Sequence, residues 1–466
     1  MPLELTSTGR PQDAGHEGTR ASSWSRQQFS VAGWALPRNR AASTTARSTR
    51  LPPSGPPGRR ASPSYGLDSP LRPRHPGCPA LTGETTNGWL RVRIAAKLDS
   101  GLECIVIKAL PEFPWSALAP LRDRAARHPD GIVNLALGTP VDPAPEIVQQ
   151  ALCSAADAPS HPATEGTPAL REAAAAYLSR RFGVAAEAGA VLPSVGTKEL
   201  IAWLPTVLSV GPGDLVAYPE LSFPTYDVSA RLAGATPVPV NLDHGLPEPA
   251  PRVLWLNTPS NPDGRVLSAD RMREIVSWCR ERGVLVVNDE CYLEYGWEQE
   301  PISILHPEVC GDSHTGVLAV HTLSKRSNLA GYRAGFITGD PRVVQEMLEV
   351  RRHAGLILPT PIAAAMTAAL ADDTHVELQR ERYARRRAQL RPALEARGLR
   401  VDHSDSGLYL WVTRDEPCWD TAAFLADEGI LGAPGSIYGR PGENHVRLAV
   451  TATDERIASA VARLAR

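Results

Sequence analysis

From Leu110 onward the chain alternates between two hydrophobic periods. Short runs that are apolar throughout, Leu215-Val216-Ala217-Tyr218, Val253-Leu254-Trp255-Leu256, Val284-Leu285-Val286-Val287 and Val317-Leu318-Ala319-Val320, read as strands buried on both faces. Val238-Pro239-Val240 reads as a further short strand, and its proline assigns it to a sheet edge. Between these runs the spacing predicts helices over 225–233 and 272–282. The second has Ser268 as N-cap, Asp270 in its first turn and Gly283 as its stop. Strands of this kind alternating with helices predict a mostly parallel sheet covered by helices on both faces. Upstream, a helix-like segment over 116–128 precedes a short strand, Ile132-Val133-Asn134-Leu135-Ala136-Leu137, that stops at Gly138. Helices are expected over 143–156, 169–182 and 199–209. After Gly339 the pattern predicts helices over 342–353 and, unbroken, over 361–397; the arginine run 385–387 reads as a solvated helix face. The chain ends as a small α+β lobe: a strand at Gly407-Leu408-Tyr409-Leu410-Trp411-Val412, a helix over 421–428, a strand at His445-Val446-Arg447-Leu448-Ala449-Val450, and a last helix.

Composition separates off the N-terminus. Residues 1–105 are rich in Arg, Pro and Ser, with twelve prolines in the first hundred positions, and predict no packed domain. This stretch reads as a disordered extension or as residues ahead of a mis-assigned start; a basic tail or a transit-like peptide is the functional alternative. The remainder divides into a lead-in over 110–140 that contributes to the small lobe, a large lobe over 141–350 and a small lobe over 351–466. Residues 1–100 carry 14 Lys and Arg against 6 Asp and Glu, leaving 35 against 45 for the rest, so the globular part is acidic and nucleic acid is not an expected partner. The seven cysteines are scattered, with no Cys-x-x-Cys, which argues against a disulfide framework or a structural metal and for a reducing, cytoplasmic compartment. No run approaches the roughly 18 apolar residues of a membrane helix.

In a parallel sheet, ligands sit beyond the carboxyl ends of the strands. That rule collects three stretches: Asn257-Thr258-Pro259-Ser260-Asn261, Asn288-Asp289-Glu290-Cys291-Tyr292 and Thr322-Leu323-Ser324-Lys325. A lysine amine can form a Schiff base with an aldehyde. Thr322 and Ser324 offer hydroxyls to a phosphate, and Arg333 offers it a planar, permanently charged fork. Gly196 and Thr197 open a helix whose free N–H groups suit the same group. Gly138 would let a ligand approach the backbone. Each signal alone is weak; their convergence on one sheet edge is what carries weight.

Together these residues resemble the class I/II aminotransferases, pyridoxal 5'-phosphate enzymes of fold type I, over about residues 110–466. The resemblance implies that Lys325 holds the cofactor and moves the substrate proton, and that Asp289 pairs with the ring nitrogen. It implies that Tyr292 and Asn261 bind the ring's phenolic oxygen and that Phe223 stacks on the ring. Gly196, Thr197, Thr322, Ser324 and Arg333 would take the phosphate, and Arg447 the substrate α-carboxylate, with Gly138 and Asn261 close by. A homodimer is implied as well. Its cross-subunit phosphate contact usually comes from a tyrosine, and His161 stands there instead.

Three stretches, Pro111-Glu112-Phe113-Pro114-Trp115, 196–205 and 325–333, look like actinobacterial N-succinyldiaminopimelate aminotransferases. The implied reaction interconverts N-succinyl-2-amino-6-ketopimelate plus glutamate and N-succinyl-LL-diaminopimelate plus 2-oxoglutarate, in lysine biosynthesis. Lys198, Arg326, Arg351 and Arg352 are the candidates to read the distal carboxylates. The alternatives are a general aspartate or aromatic-amino-acid aminotransferase, and a cofactor-sensing regulator. The regulator would need a folded helix-turn-helix that 1–105 does not display.

Overall fold

A computed structural model of the chain describes residues 110–466, together with the backbone of an antiparallel pair, Thr82–Thr86 with Trp89–Arg93. The extension expected over 1–105 otherwise lies outside the described residues.

Seven strands build the main sheet: β1 (Val191–Val195), β2 (Leu215–Pro219), β3 (Thr236–Val240), β4 (Val253–Leu256), β5 (Leu285–Asp289), β6 (Val317–Thr322) and β7 (Ala334–Gly339). Their order is β1-β7-β6-β5-β4-β2-β3, so the proline-bearing strand is indeed an edge. Only β7 runs against the others. The link from β6 to β7, residues 323–333, is too short for the crossover a parallel neighbour needs, so the chain turns back on itself.

Alternate side chains of each strand enter two different cores. Leu254, Leu256, Val286 and Ala319 pack on one face with Leu170 and Leu178 of α1 (Pro168–Phe182). Val253, Trp255, Val287 and Leu318 pack on the other with Leu200 and Leu204 of α2 (Thr197–Val207) and Tyr226 of α3 (Thr225–Ala233). The helix expected over 272–282 is α4 (Ala269–Arg282); Ser268 accepts from the Arg271 N–H, and Gly283 ends it at φ 66°. Lys325 lies on a single turn, α5 (Leu323–Arg326), and α6 (Pro341–Ala354) follows β7.

The single helix expected over 361–397 is two, α7 (Thr360–Ala371) and α8 (Thr374–Ala396). Asp372 breaks it: its carboxylate accepts from the Thr374 and His375 N–H groups and so caps a new helix. The break also separates two cores. Ala365, Met366 and Leu370 of α7 belong with the large sheet, whereas Tyr383, Leu390 and Leu394 of α8 belong with the small lobe. The arginine run on α8 is not a solvated face. Only Arg385 is exposed; Arg386 and Arg387 are buried, paired with Asp142 and Asp454 and with Glu298. Three consecutive helical positions span most of a turn, so they cannot all face solvent on a helix laid between lobes.

The small lobe holds an antiparallel sheet of β8 (Arg400–Asp402), β9 (Tyr409–Thr413), β10 (Ala433–Pro434) and β11 (Val446–Ala449), in the order β8-β9-β11-β10. The lead-in joins its core through Leu118, Leu121, Val133 and Leu135. Its helix is shorter than expected, a 3₁₀ turn Pro114–Leu118 and then Ala119–Ala125. The expected strand reduces to Val133–Asn134, paired in parallel with Ile430–Leu431.

Candidate active site

The carboxyl ends of β5 and β6, the start of α2 and strand β11 enclose a cavity of about 290 Å3. Of the residues singled out from the sequence, Gly138, Thr197, Phe223, Asn261, Asp289, Tyr292, Thr322, Ser324, Lys325, Arg333 and Arg447 line it. Gly196 lies directly beside Arg333. His161 is exposed and does not line the cavity.

Lys325 extends from the α5 turn, and its Nζ donates to the Gly138 carbonyl oxygen. The Tyr295 hydroxyl donates to the Lys325 carbonyl oxygen at 2.8 Å, which anchors the turn from behind. Gly138 is required by protein, not by a ligand: a Cβ there would lie 2.1 Å from the Tyr409 Oη.

Asp289 ends β5 with 5 % exposure and accepts from the Tyr226 hydroxyl at 2.8 Å and the Cys291 N–H at 3.2 Å. Burial pushes its acid up, and those hydrogen bonds together with the Lys325 charge pull the other way. A buried carboxylate at this position is suited to a cationic partner in the cavity.

Three segments come together on another side of the cavity. Thr322 and Ser324 hydroxyls are 2.9 Å apart, and the Ser324 N–H donates to Thr322 Oγ1 at 3.1 Å. Arg333 has a left-handed backbone at φ 58°, and one guanidinium nitrogen donates to the Ala330 carbonyl at 2.8 Å. Gly196, at φ 74°, begins α2, and a Cβ there would lie 2.2 Å from Arg333 Nη2. Helix α2 starts at Thr197, two residues earlier than expected, which brings the Thr197 N–H into the helix's first turn. The bare glycine, free N–H groups, hydroxyls and guanidinium fit a phosphate dianion.

Arg447, on β11, is 2 % exposed. It donates to Asn261 Oδ1 at 2.7 Å and to the Ala136 carbonyl at 2.6 Å, lies 4.0 Å above the Tyr409 ring, and keeps a buried Nε without a partner. Asn261 thus spends its oxygen on Arg447, which leaves its N–H groups to donate elsewhere. The Tyr292 hydroxyl lies 2.9 Å from that of Tyr409.

Of the four candidates for distal carboxylates, only Lys198 lines the cavity. Its Nζ sits 5.3 Å and 5.6 Å from the ring centres of Phe113 and Phe223. Burial, then the Arg333 charge, lowers its pKa, and no described carboxylate pairs with it. The other three are committed elsewhere: Arg351 to Glu199 at 3.1 Å, Arg326 to Glu294 at 3.4 Å, and Arg352 to Glu349 and Glu165.

Sequence reasoning gave no role to Tyr226, Trp115 or Tyr409. Tyr226 lies in the first turn of α3, three residues after Phe223, which was a usable signal; Trp115 and Tyr409 reach the cavity only through the small lobe's packing.

A family model described as aminotransferase class I and II matches residues 130–464. The chain belongs to that family. Its members depend on pyridoxal phosphate and act on amino acids and 2-oxo acids, and the cavity of this aminotransferase has the donor set such a cofactor needs. A 4-dedimethylamino-4-oxo-anhydrotetracycline transaminase of Streptomyces rimosus is 62 % identical over 358 residues, 77 % of this chain and 100 % of that one. A probable aminotransferase of Mycobacterium tuberculosis is 58 % identical over 360 residues, 77 % of this chain and 86 % of that one. An LL-diaminopimelate aminotransferase of Dehalococcoides mccartyi is 31 % identical over 77 % of this chain and 97 % of its own length. Among solved structures, an aminotransferase from Neisseria meningitidis matches with a TM-score of 0.68 at 27 % identity, covering 76 % of this chain and 96 % of that chain. Substrate-bound BacF from Bacillus subtilis matches with 0.67 at 25 %, covering 76 % and 94 %. Among the described residues no helix is long and apolar enough to cross a membrane.

Proposed function

We propose that this aminotransferase moves an amino group between glutamate and N-succinyl-2-amino-6-ketopimelate, giving 2-oxoglutarate and N-succinyl-LL-diaminopimelate. The observation that carries this reading is a cation in the cavity beyond Arg447 and the two, Lys325 and Arg333, given to the cofactor. Arg447 is matched to an α-carboxylate, and Lys198, on a different element and without an acid partner, is available to a second, distal one.

Bound pyridoxal phosphate supplies a carbonyl carbon that condenses with amines and a ring that takes up the electron pair left when a Cα proton departs. The chain's residues do the rest. Lys325 holds the carbonyl carbon until an amino acid displaces it, and its freed amine then carries the proton away from Cα. Asp289, steadied by Tyr226, holds a proton on the ring nitrogen. Phe223 would bound the ring, and Tyr292 and the Asn261 N–H groups would donate to its phenolic oxygen. Gly196, Thr197, Thr322, Ser324 and Arg333 fix the phosphate and with it the ring. Arg447 would hold the α-carboxylate in the same cavity as Lys325. The working unit in this reading is a homodimer, with His161 reaching the neighbouring subunit's phosphate.

The 62 % identity to the Streptomyces rimosus transaminase, over all of that protein, favours a second reading. In it the amino acceptor is a ketone on a fused-ring body, received by Trp115, Ile201 and Phe223. Single half-reactions separate the two. The cofactor-loaded enzyme is mixed in turn with glutamate, N-succinyl-LL-diaminopimelate, aspartate and phenylalanine, and the aminated form with the polycyclic ketone, while the cofactor's absorbance is followed. Fast conversion by glutamate and the succinylated compound alone supports the first reading, and fast conversion by the ketone the second. Equal rates with aspartate or phenylalanine would leave a general aminotransferase. Lys325→Ala should keep the fold and abolish the absorbance of the lysine-bound cofactor; turnover in that variant would refute the assignment of Lys325.

A further inference from the structure

Three consecutive residues after Lys325 are gripped by the end of α7 and the start of α8. Arg326 donates to the Ala369 carbonyl at 2.9 Å, near the end of α7. The Ser327 Oγ lies 2.8 Å from His375 Nε2. Asn328, held at φ 57°, donates to Gln379 Oε1 at 3.0 Å. His375, Gln379 and Tyr383 recur at four-residue intervals, so they form one stripe along α8. That helix leaves the large core at Asp372 and enters the small lobe's core through Tyr383, Leu390 and Leu394.

His375 closes a chain of three groups. Its Nδ1 lies 2.5 Å from Asp372 Oδ2, the same carboxylate that caps α8. Burial pushes the Asp372 acid up, but hydrogen bonds from the His375 ring and backbone outweigh it and hold the group below its usual range. An ionised Asp372 fixes the His375 proton on Nδ1, so Nε2 accepts and the Ser327 hydroxyl donates. Burial, opposed by Asp372, keeps His375 itself on the neutral side; Arg326 adds to that and Glu294 resists it.

The order of groups is that of a Ser-His-Asp hydrolase. Ser327, however, is 1 % exposed, so no substrate carbonyl reaches its oxygen. The chain has an acceptor fixed in tautomer and orientation, and what it fixes is Ser327, the C-cap of the turn that carries Lys325. We propose that Asp372, His375 and Ser327 form a positioning relay for Lys325, through which the setting of the small lobe reaches the amine. This rests on the reading of Lys325 as the cofactor-bearing lysine.

The test uses the full chain loaded with pyridoxal phosphate. His375→Ala and Ser327→Ala remove opposite ends of one hydrogen bond, so each should produce the same two changes. The apparent pKa of the cofactor's visible absorbance should shift by about half a unit or more. The glutamate half-reaction should slow about tenfold at saturation with its half-saturating concentration little altered. His375→Gln, whose amide oxygen can still accept from Ser327, should recover part of both. Ser327→Ala loses a single oxygen and carries the test if the His375 variant does not fold. Loaded variants with unchanged absorbance titration and unchanged rate would overturn the relay. If the unsubstituted chain forms no lysine-bound cofactor at all, the reading of Lys325 fails instead.

Discussion

Glu290 and His321 lie side by side behind the cavity, with Oε2 and Nε2 3.5 Å apart and neither atom otherwise partnered. Glu290 Oε1 accepts from the Ile304 N–H at 2.7 Å, the Ser303 hydroxyl at 3.1 Å and Asn288 Nδ2 at 3.0 Å. Burial nonetheless pushes its acid up to about 7 and pushes His321 down to about 3. The two shifts act on stability with opposite signs. Glu290 keeps its proton in the folded chain, whereas an unfolded glutamic acid loses it near 4.3, so its contribution is full below about 4.3 and declines as pH rises to about 7. His321 is neutral when folded, so its contribution is full above roughly 6.5 and declines as pH falls toward about 3. Glu290→Gln has no proton to lose. It should stabilise the chain by on the order of 2 kcal/mol at pH 8 and by little at pH 4, which thermal melts at the two values would check. An equal shift at both would show that Glu290 is not held protonated. At this scale the sequence was informative where one rule applied. The place of Lys325, Asp289 and Asn261 in the cavity lining was legible because they end or follow buried strands, and ligands bind beyond strand ends. His375 was not, because its partner Ser327 is 48 residues away and the contact exists only once α8 is docked.

Elements show the same division between local and tertiary information. The helix α4 was readable to within a few residues because its cap, first-turn acid and terminal glycine are all local signals. The break between α7 and α8 was missed because Asp372-Asp373-Thr374 is compatible with a polar helix face; only the N-capping geometry of Asp372 turns it into a boundary. The turn from β1 into α2 joins both kinds. Gly196 reads from the sequence as a helix start, but its neighbour Arg333 comes from the far end of the β6–β7 connection. Gly196→Ala would place a methyl 2.2 Å from Arg333 Nη2 in a backbone region, φ 74°, that alanine rarely adopts. Expected are a small loss of stability in the cofactor-free chain, about 1–2 kcal/mol, and a loss of cofactor affinity of about tenfold or more. Titration of the cofactor-free variant with pyridoxal phosphate measures the second. Unchanged affinity would remove Arg333 and Gly196 from the phosphate site.

For the whole molecule the open issue is charge. The first hundred residues carry 14 basic and 6 acidic side chains, and the rest 35 and 45, so the two parts attract one another. Attraction of that kind between solvated charges is weak and is screened within about 8 Å at physiological salt. The family match starts at residue 130, and every group assigned to the cavity, from Trp115 on, lies beyond residue 105. The chemistry of the site therefore has no need of the basic stretch. Removing residues 1–105 should leave the glutamate half-reaction within about twofold, at low and at high salt alike, since no transition-state contact is lost. A rate that falls equally at low and at high salt would mean that the stretch contributes structure to the site. A fall confined to low salt would mean that its positive charge draws the acidic substrates in, because steering by exposed charge is the one contribution that salt abolishes.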